Sequence, residues 1–135
     1  RVAHDKDAFD RHDAATLLAR LDEPRVDLRS GAWLSIEPTA ALVAIDVNSG
    51  SAKIDALGVD LEAAREVARQ LRLRDLGGLI AVDVLRVVKP GERARLLDAF
   101  KQATRDDRRR VDVLGFTASG LVELTRARSR GSVGE

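Results

Sequence analysis

Residues 61–84 read LEAAREVARQLRLRDLGGLIAVDV. Leu61, Ala64, Ala68 and Leu71 recur at helical spacing and make one apolar stripe, while Arg65, Arg69 and Arg72 recur on a neighbouring face. Asp60 stands where an N-cap belongs and Gly77-Gly78 interrupt the pattern, so a helix is predicted from about Leu61 to Leu76. The helical period then gives way to the continuous apolar run Leu79 to Leu85, a strand carrying one acid, Asp83. A helix running straight into a strand is a building unit of an α/β domain.

Working toward the N-terminus, Ala41 to Ile45 reads as a strand apolar on both faces, suited to the middle of a sheet covered on both sides. Trp33 to Ile36 is its partner, joined through the turn Glu37-Pro38-Thr39. Asp46-Val47-Asn48-Ser49-Gly50 then leaves the sheet with turn chemistry. Toward the C-terminus, Lys89-Pro90-Gly91 opens a second helix that ends near Thr104, with Leu96, Leu97, Phe100 and Ala103 inward. Val111–Leu114 and Leu121–Thr125 are closing strands. The predicted order is β-β-α-β-α-β-β, an α/β fold with a mixed sheet and packed helices. A polar lead-in over residues 1–24 precedes it, with a short helix from about Asp13 to Leu21 that Pro24 ends. The domain proper is expected over residues 25–135, with a Gly/Ser-rich tail from Ser129 that frays.

The 135 residues suffice for one domain with a core of its own. No apolar run approaches the ~20 residues of a membrane span. Cysteine is absent, which excludes disulfides, thiolate catalysis and cysteine zinc sites within these residues. Only two histidines are present, His4 and His12, both in the polar lead-in. The chain starts at Arg1 and contains no Met, so it is expected to be part of a longer protein. Net charge is +1, but from Lys101 onward eight Lys/Arg stand against five Asp/Glu, the local basicity of a nucleic-acid-contacting edge.

Asp46 and Asp83 each stand alone in an otherwise apolar strand. A carboxylate there costs several kcal/mol unless it is paired or bound to a cation. Side by side, the two would form a hard oxygen site for Mg²⁺, which needs only one or two carboxylates because it keeps several waters. Two structural readings stand beside this one: Asp46 could bond to backbone amides of its own turn, and Asp83 could pair with an arginine. No phosphate-binding P-loop is present, and Ser35, Ser49 and Ser119 have no histidine context for a triad. The run Arg105 to Arg110 could hold phosphates or be a solvated charge run. Arg126, Arg128 and Arg130 alternate, which in an extended tail makes a basic stripe, or else a set of surface ion pairs.

Several blocks together resemble the ribonuclease E/G family. They are Pro38 to Gly50 around the first aspartate, Leu61-Glu62-Ala63-Ala64 with Val67 to Ile80 as helix and turn, and Ala81-Val82-Asp83 around the second. Asp107 to Arg110 and Gly120 to Arg128 match later blocks. The resemblance runs from about Val26 to Glu135 and implies the catalytic, DNase I-like subdomain of a bacterial, cytoplasmic endoribonuclease. Such enzymes hydrolyse single-stranded RNA to 5′-phosphate and 3′-hydroxyl ends. By the same resemblance Asp46 and Asp83 hold Mg²⁺, and Asn48 orients the attacking water or a carboxylate. Arg110 and Arg108 contact the RNA backbone near the site, and a Cys-x-x-Cys zinc clasp that joins protomers lies beyond Glu135.

The chain departs from the family pattern in three places. Ala40 stands where a Glu is usual, Arg86 where a further Asp is usual, and the segment between Gly50 and Leu61 is short. Asp46, Asn48 and Asp83 favour a working metal-dependent endoribonuclease. Ala40 and Arg86 favour the alternative, a non-catalytic RNA-binding or assembly module of the same fold. A DNA-directed nuclease follows from the subdomain's name alone and has only fold-level analogy behind it.

Overall fold

The computed structural model describes residues 22–128; the helix expected over Asp13 to Leu21 and the tail from Ser129 lie outside them. The elements are β1 (Arg25–Asp27), β2 (Trp33–Pro38), β3 (Val43–Asn48), α1 (Ala56–Leu73), β4 (Gly78–Asp83), α2 (Pro90–Thr104), β5 (Val111–Phe116) and β6 (Val122–Arg126). The mixed sheet with packed helices is as expected, with one strand more. The extra strand, β1, pairs with the first half of β2, and its three residues are too few to display a period.

Spatial order in the sheet is β1-β2-β3-β4-β6-β5. Every neighbouring pair is antiparallel except β3 and β4, which run parallel and are joined across α1. Parallel neighbours require such a crossover, because a tight turn cannot reverse the chain twice.

Helix α1 begins five residues before Leu61, at Ala56, and its N-cap is Asp55, whose carboxylate accepts from the Gly58 N–H at 2.8 Å. Asp60 is therefore not the cap; it sits inside the helix and is fully buried. Gly58 in the first turn hides the start of the helix from a pattern reading. The helix also stops short of Gly77-Gly78. After Leu73 the Leu76 N–H reaches the Leu71 carbonyl and the Asp75 N–H the Arg72 carbonyl, with Asp75 left-handed at φ 50°. Both bonds satisfy carbonyls that the helix end would otherwise orphan.

The core lies on one face of the sheet. Leu34, Ile36, Val43, Ile45, Val47, Ile80, Val82, Val122 and Leu124 pack there against Val59, Ala63, Ala64, Val67, Leu71, Leu96 and Phe100 of the helices. Leu61, Leu97 and Ala103, expected inward, are only partly buried. The two-sided cover expected of β3 is not found among the described residues. Ala44, Asp46 and Asn48 point away from the helices, and the alanines that made the segment read as apolar throughout carry little burial energy of their own.

The β2–β3 turn lies later than expected, over Thr39 to Leu42. The Thr39 hydroxyl donates to the Leu42 carbonyl at 2.7 Å and accepts from its N–H at 3.1 Å. That placement pairs Pro38 with Val43 and so fixes which residues face each other on the open side.

Candidate functional site

Side-chain alternation turns Leu34, Ile36, Val43, Ile45, Ile80 and Val82 inward, so their neighbours must project from the open face. Asp46 of β3 is in register with Asp83 of β4, and Ser35 of β2 with Asp46. Ser35, Asp46 and Asp83 thus make one row across three strands, each backbone ~4.8 Å from the next. Two residues along each strand, Glu37, Ala44, Ala81 and Glu123 form a second row on the same open face. Asp46 and Asp83 line a cleft of about 340 Å³ with Ser35, Glu37, Ala44 and Ala81.

Both aspartates are exposed residues, so the cost expected of acids in apolar strands is largely avoided by their facing outward. Asp46 still feels its place: partial burial, and then the charge of Asp83, push its carboxyl above the usual range. A carboxylate raised in this way by a neighbouring acid gains from a shared cation.

The chain beyond each aspartate is pinned. After Asp46, the Asn48 side-chain oxygen accepts from the Gly50 N–H at 3.0 Å, and Ser51 N–H donates to the Gly31 carbonyl at 3.2 Å. It is Asn48, not Asp46, that makes the turn bond. After Asp83, the Leu85 N–H donates to Asp60 at 2.8 Å, and Arg93 donates to the Val87 carbonyl at 2.8 Å. Asp60, Ser35 and Arg93 were not singled out as site residues by the sequence. Their roles depend on pairings at distances of six to twenty-five residues that no local period encodes.

The model of the ribonuclease E/G family matches residues 1–129. The chain belongs to the ribonuclease E/G family. Ribonuclease G of Escherichia coli is 39% identical over 131 residues, covering 93% of this chain and 27% of that protein. Ribonuclease E of Nostoc sp. is 46% identical over 112 residues, covering 78% of this chain and 16% of that protein. The chain therefore spans about a quarter or less of the curated relatives it matches.

Among the departures from the ribonuclease E/G pattern, Ala40 is exposed in the Thr39–Leu42 turn at the start of β3, whereas Asp46 lies near that strand's end. At least ~10 Å of strand separates them, so Ala40 is not beside the carboxylate pair. Arg86 is exposed in the segment directly after Asp83, three residues along the chain from it.

The structure does not bring the arginines to the pair. Arg110 does project on the open face, because it pairs at 3.1 Å with Asp112, which is in register with Thr125 and through it with Leu79. Val111 and Val113 face the core side, in register with Arg126 and Leu124. But β6 runs away from Asp83, so Arg110 ends ~20 Å along the strands and ~10 Å across them from it. It borders a larger groove of about 680 Å³, shared with Lys101, Arg105, Arg109 and Asp98. Its ion-pair partner is Asp112. Arg108 is exposed nearby. Arg126 belongs to no surface stripe: it is buried, with Asp107 at 2.9 Å and Asp75 at 3.0 Å.

Proposed function

We propose that this chain supplies the metal-binding carboxylates of a Mg²⁺-dependent endoribonuclease that hydrolyses single-stranded RNA to 5′-phosphate and 3′-hydroxyl ends. The observation that carries this reading is the register of Asp46 with Asp83 on an open sheet face. The donor set fits Mg²⁺: two adjacent carboxylates offer hard oxygens and leave room for the waters that this ion retains. When bound, Mg²⁺ supplies electrostatic relief for the phosphodiester and acidifies a coordinated water.

The chain's own residues divide the remaining work. Asp46 and Asp83 hold the cation. The Asn48 carbonyl is occupied by Gly50, which turns its amide group outward as a hydrogen-bond donor for a water or a carboxylate. Arg110 and Arg108 act on RNA phosphates remote from the scissile bond. The enzyme is cytoplasmic and oligomeric through a zinc clasp beyond this segment, with residues 1–24 leading into a catalytic unit over 25–135.

One observation favours the second reading, an RNA-binding or assembly module without efficient cleavage: Arg86, exposed three residues after Asp83, puts a cation in the segment that leaves the pair. Cleavage of a fluorescent single-stranded RNA by the full-length protein, with Mg²⁺ and with chelator, separates the two. Asp46→Asn and Asp83→Asn are each expected to abolish cleavage. Neither should lower the melting temperature of the metal-free protein, since each removes the repulsion that raises Asp46. Wild-type cleavage by either variant would overturn the metal assignment, and no cleavage by the unaltered protein would favour the module.

A further inference from the structure

The open face carries the chain's one tryptophan beside the carboxylate row. Trp33 of β2 is in register with Asn48, two residues along β3 from Asp46 and on the same face. It is only partly buried. Gly50, at φ 52°, packs its backbone against the indole: a Cβ there would lie 3.0 Å from the Trp33 Cδ1 and would clash with the Gly31 carbonyl oxygen. The turn that follows Asn48 therefore holds the edge of the indole. Over the ring, 4.3 Å from its centre, lies the Arg25 guanidinium, whose other partner is Asp27 at 2.9 Å. That pair is well exposed, with side chains 59% and 73% accessible, and holds Arg25 weakly.

An indole fixed at its edge, partly open to solvent and covered by a weakly held cation serves no evident need of the core. It has the parts of a base-stacking platform: a rigid π-face for any nucleobase and an arginine that stacks with a ring or grips a phosphate.

We propose that Trp33 and Arg25 form a subsite for one nucleobase of the RNA, close to the scissile phosphodiester on the Asn48 side of the carboxylate pair. The base stacks on the indole, and Arg25 leaves Asp27 to contact that nucleotide's phosphate. This rests on the ribonuclease reading of Asp46 and Asp83. It adds a binding contact to the chemistry, and it predicts that one base, not the whole strand, is sensed here.

The test uses the full-length protein and a set of single-stranded RNA oligonucleotides, each with one abasic nucleotide at a different position, with binding measured in chelator. In the unaltered protein, one abasic position should weaken binding roughly tenfold, the scale of one stacked base. In Trp33→Ala that position should become silent while the others keep their effects, and Trp33→Phe should restore most of the sensitivity. Arg25→Ala should leave the abasic effect in place but reduce the salt dependence of binding. If every abasic position keeps its effect in Trp33→Ala, the subsite does not exist. A uniform loss at all positions would also overturn it, since that marks a structural role. Binding is read without metal, so such a failure leaves the carboxylate reading standing. Cleavage by Asp46→Asn tests that reading on its own.

Discussion

Asp60 is a fully buried acid whose one oxygen accepts from the Leu85 N–H while the other has no partner among the described residues. Burial raises its carboxyl from 3.8 to about 7, against the lowering effect of that one hydrogen bond. Ionising it costs the folded state, so its contribution to stability is greatest below its unfolded value near 3.8. That contribution is lost as pH rises toward about 7, and is flat above it. The whole change is at most ~4 kcal/mol. Asp60→Asn keeps an acceptor for Leu85 and cannot ionise, so its stability should vary less between pH 5 and pH 8, and it should gain on the wild type at pH 8. Denaturant melts at the two pH values check this; parallel wild-type and variant curves would show that Asp60 does not titrate in that range. In the sequence Asp60 has the look of a cap, because an acid before an apolar helix usually is one. Only the contact with Leu85 distinguishes an anchor from a cap.

At the scale of elements, the ends of both helices are tied to β6 through one side chain. Arg126 donates to Asp75 and to the Leu76 carbonyl after α1, and grips Asp107 after α2 with its Nε and one terminal nitrogen. This explains why Asp75, and not a glycine, takes the left-handed position that ends α1: its carboxylate is needed there. Burial would raise the Asp107 carboxyl, but the hydrogen bonds from Arg126 outweigh it and hold it below the usual range. Its stabilisation is therefore present at neutral pH and lost as acid titrates it below its ordinary value of 3.8. Arg126→Ala strands a buried Asp107 and should cost ~3–5 kcal/mol in denaturant titration. A loss below ~1 kcal/mol would mean that the clasp is no stronger than an exposed ion pair. The alternation of Arg126, Arg128 and Arg130 reads as a surface stripe because arginine is mostly exposed. Its burial depends on two acids, 19 and 51 residues away, that local sequence does not connect to it.

For the whole molecule, periodicity was enough to identify both helices and the five longer strands around them, because each buries a continuous stripe. It could not tell a sheet covered on two faces from one covered on one, since Ala44 and Ala81 fit either. Asp46 and Asp83 stood out as acids among apolar residues, and their adjacency follows from the parallel β3–β4 pair. The contact of Arg110 with RNA near the site was an expectation from family resemblance, and local sequence says nothing about which end of a strand a residue occupies. Arg110 lies on the same face as the aspartates but at the far end of the sheet, where among the described residues its ion pair is the exposed one with Asp112. RNA that reaches both must cross most of the open face. Arg110→Ala should then leave cleavage of the shortest substrates unchanged and weaken binding of longer ones. It should also reduce the slope of log affinity against log salt by about 0.7, the share of one phosphate contact on a single strand. A length series of oligonucleotides, assayed for binding at several salt concentrations, reads both effects. If Arg110→Ala impairs the shortest cleavable RNA as much as the longest, the arginine acts at the scissile bond, and the sheet-length separation between them must close when RNA binds.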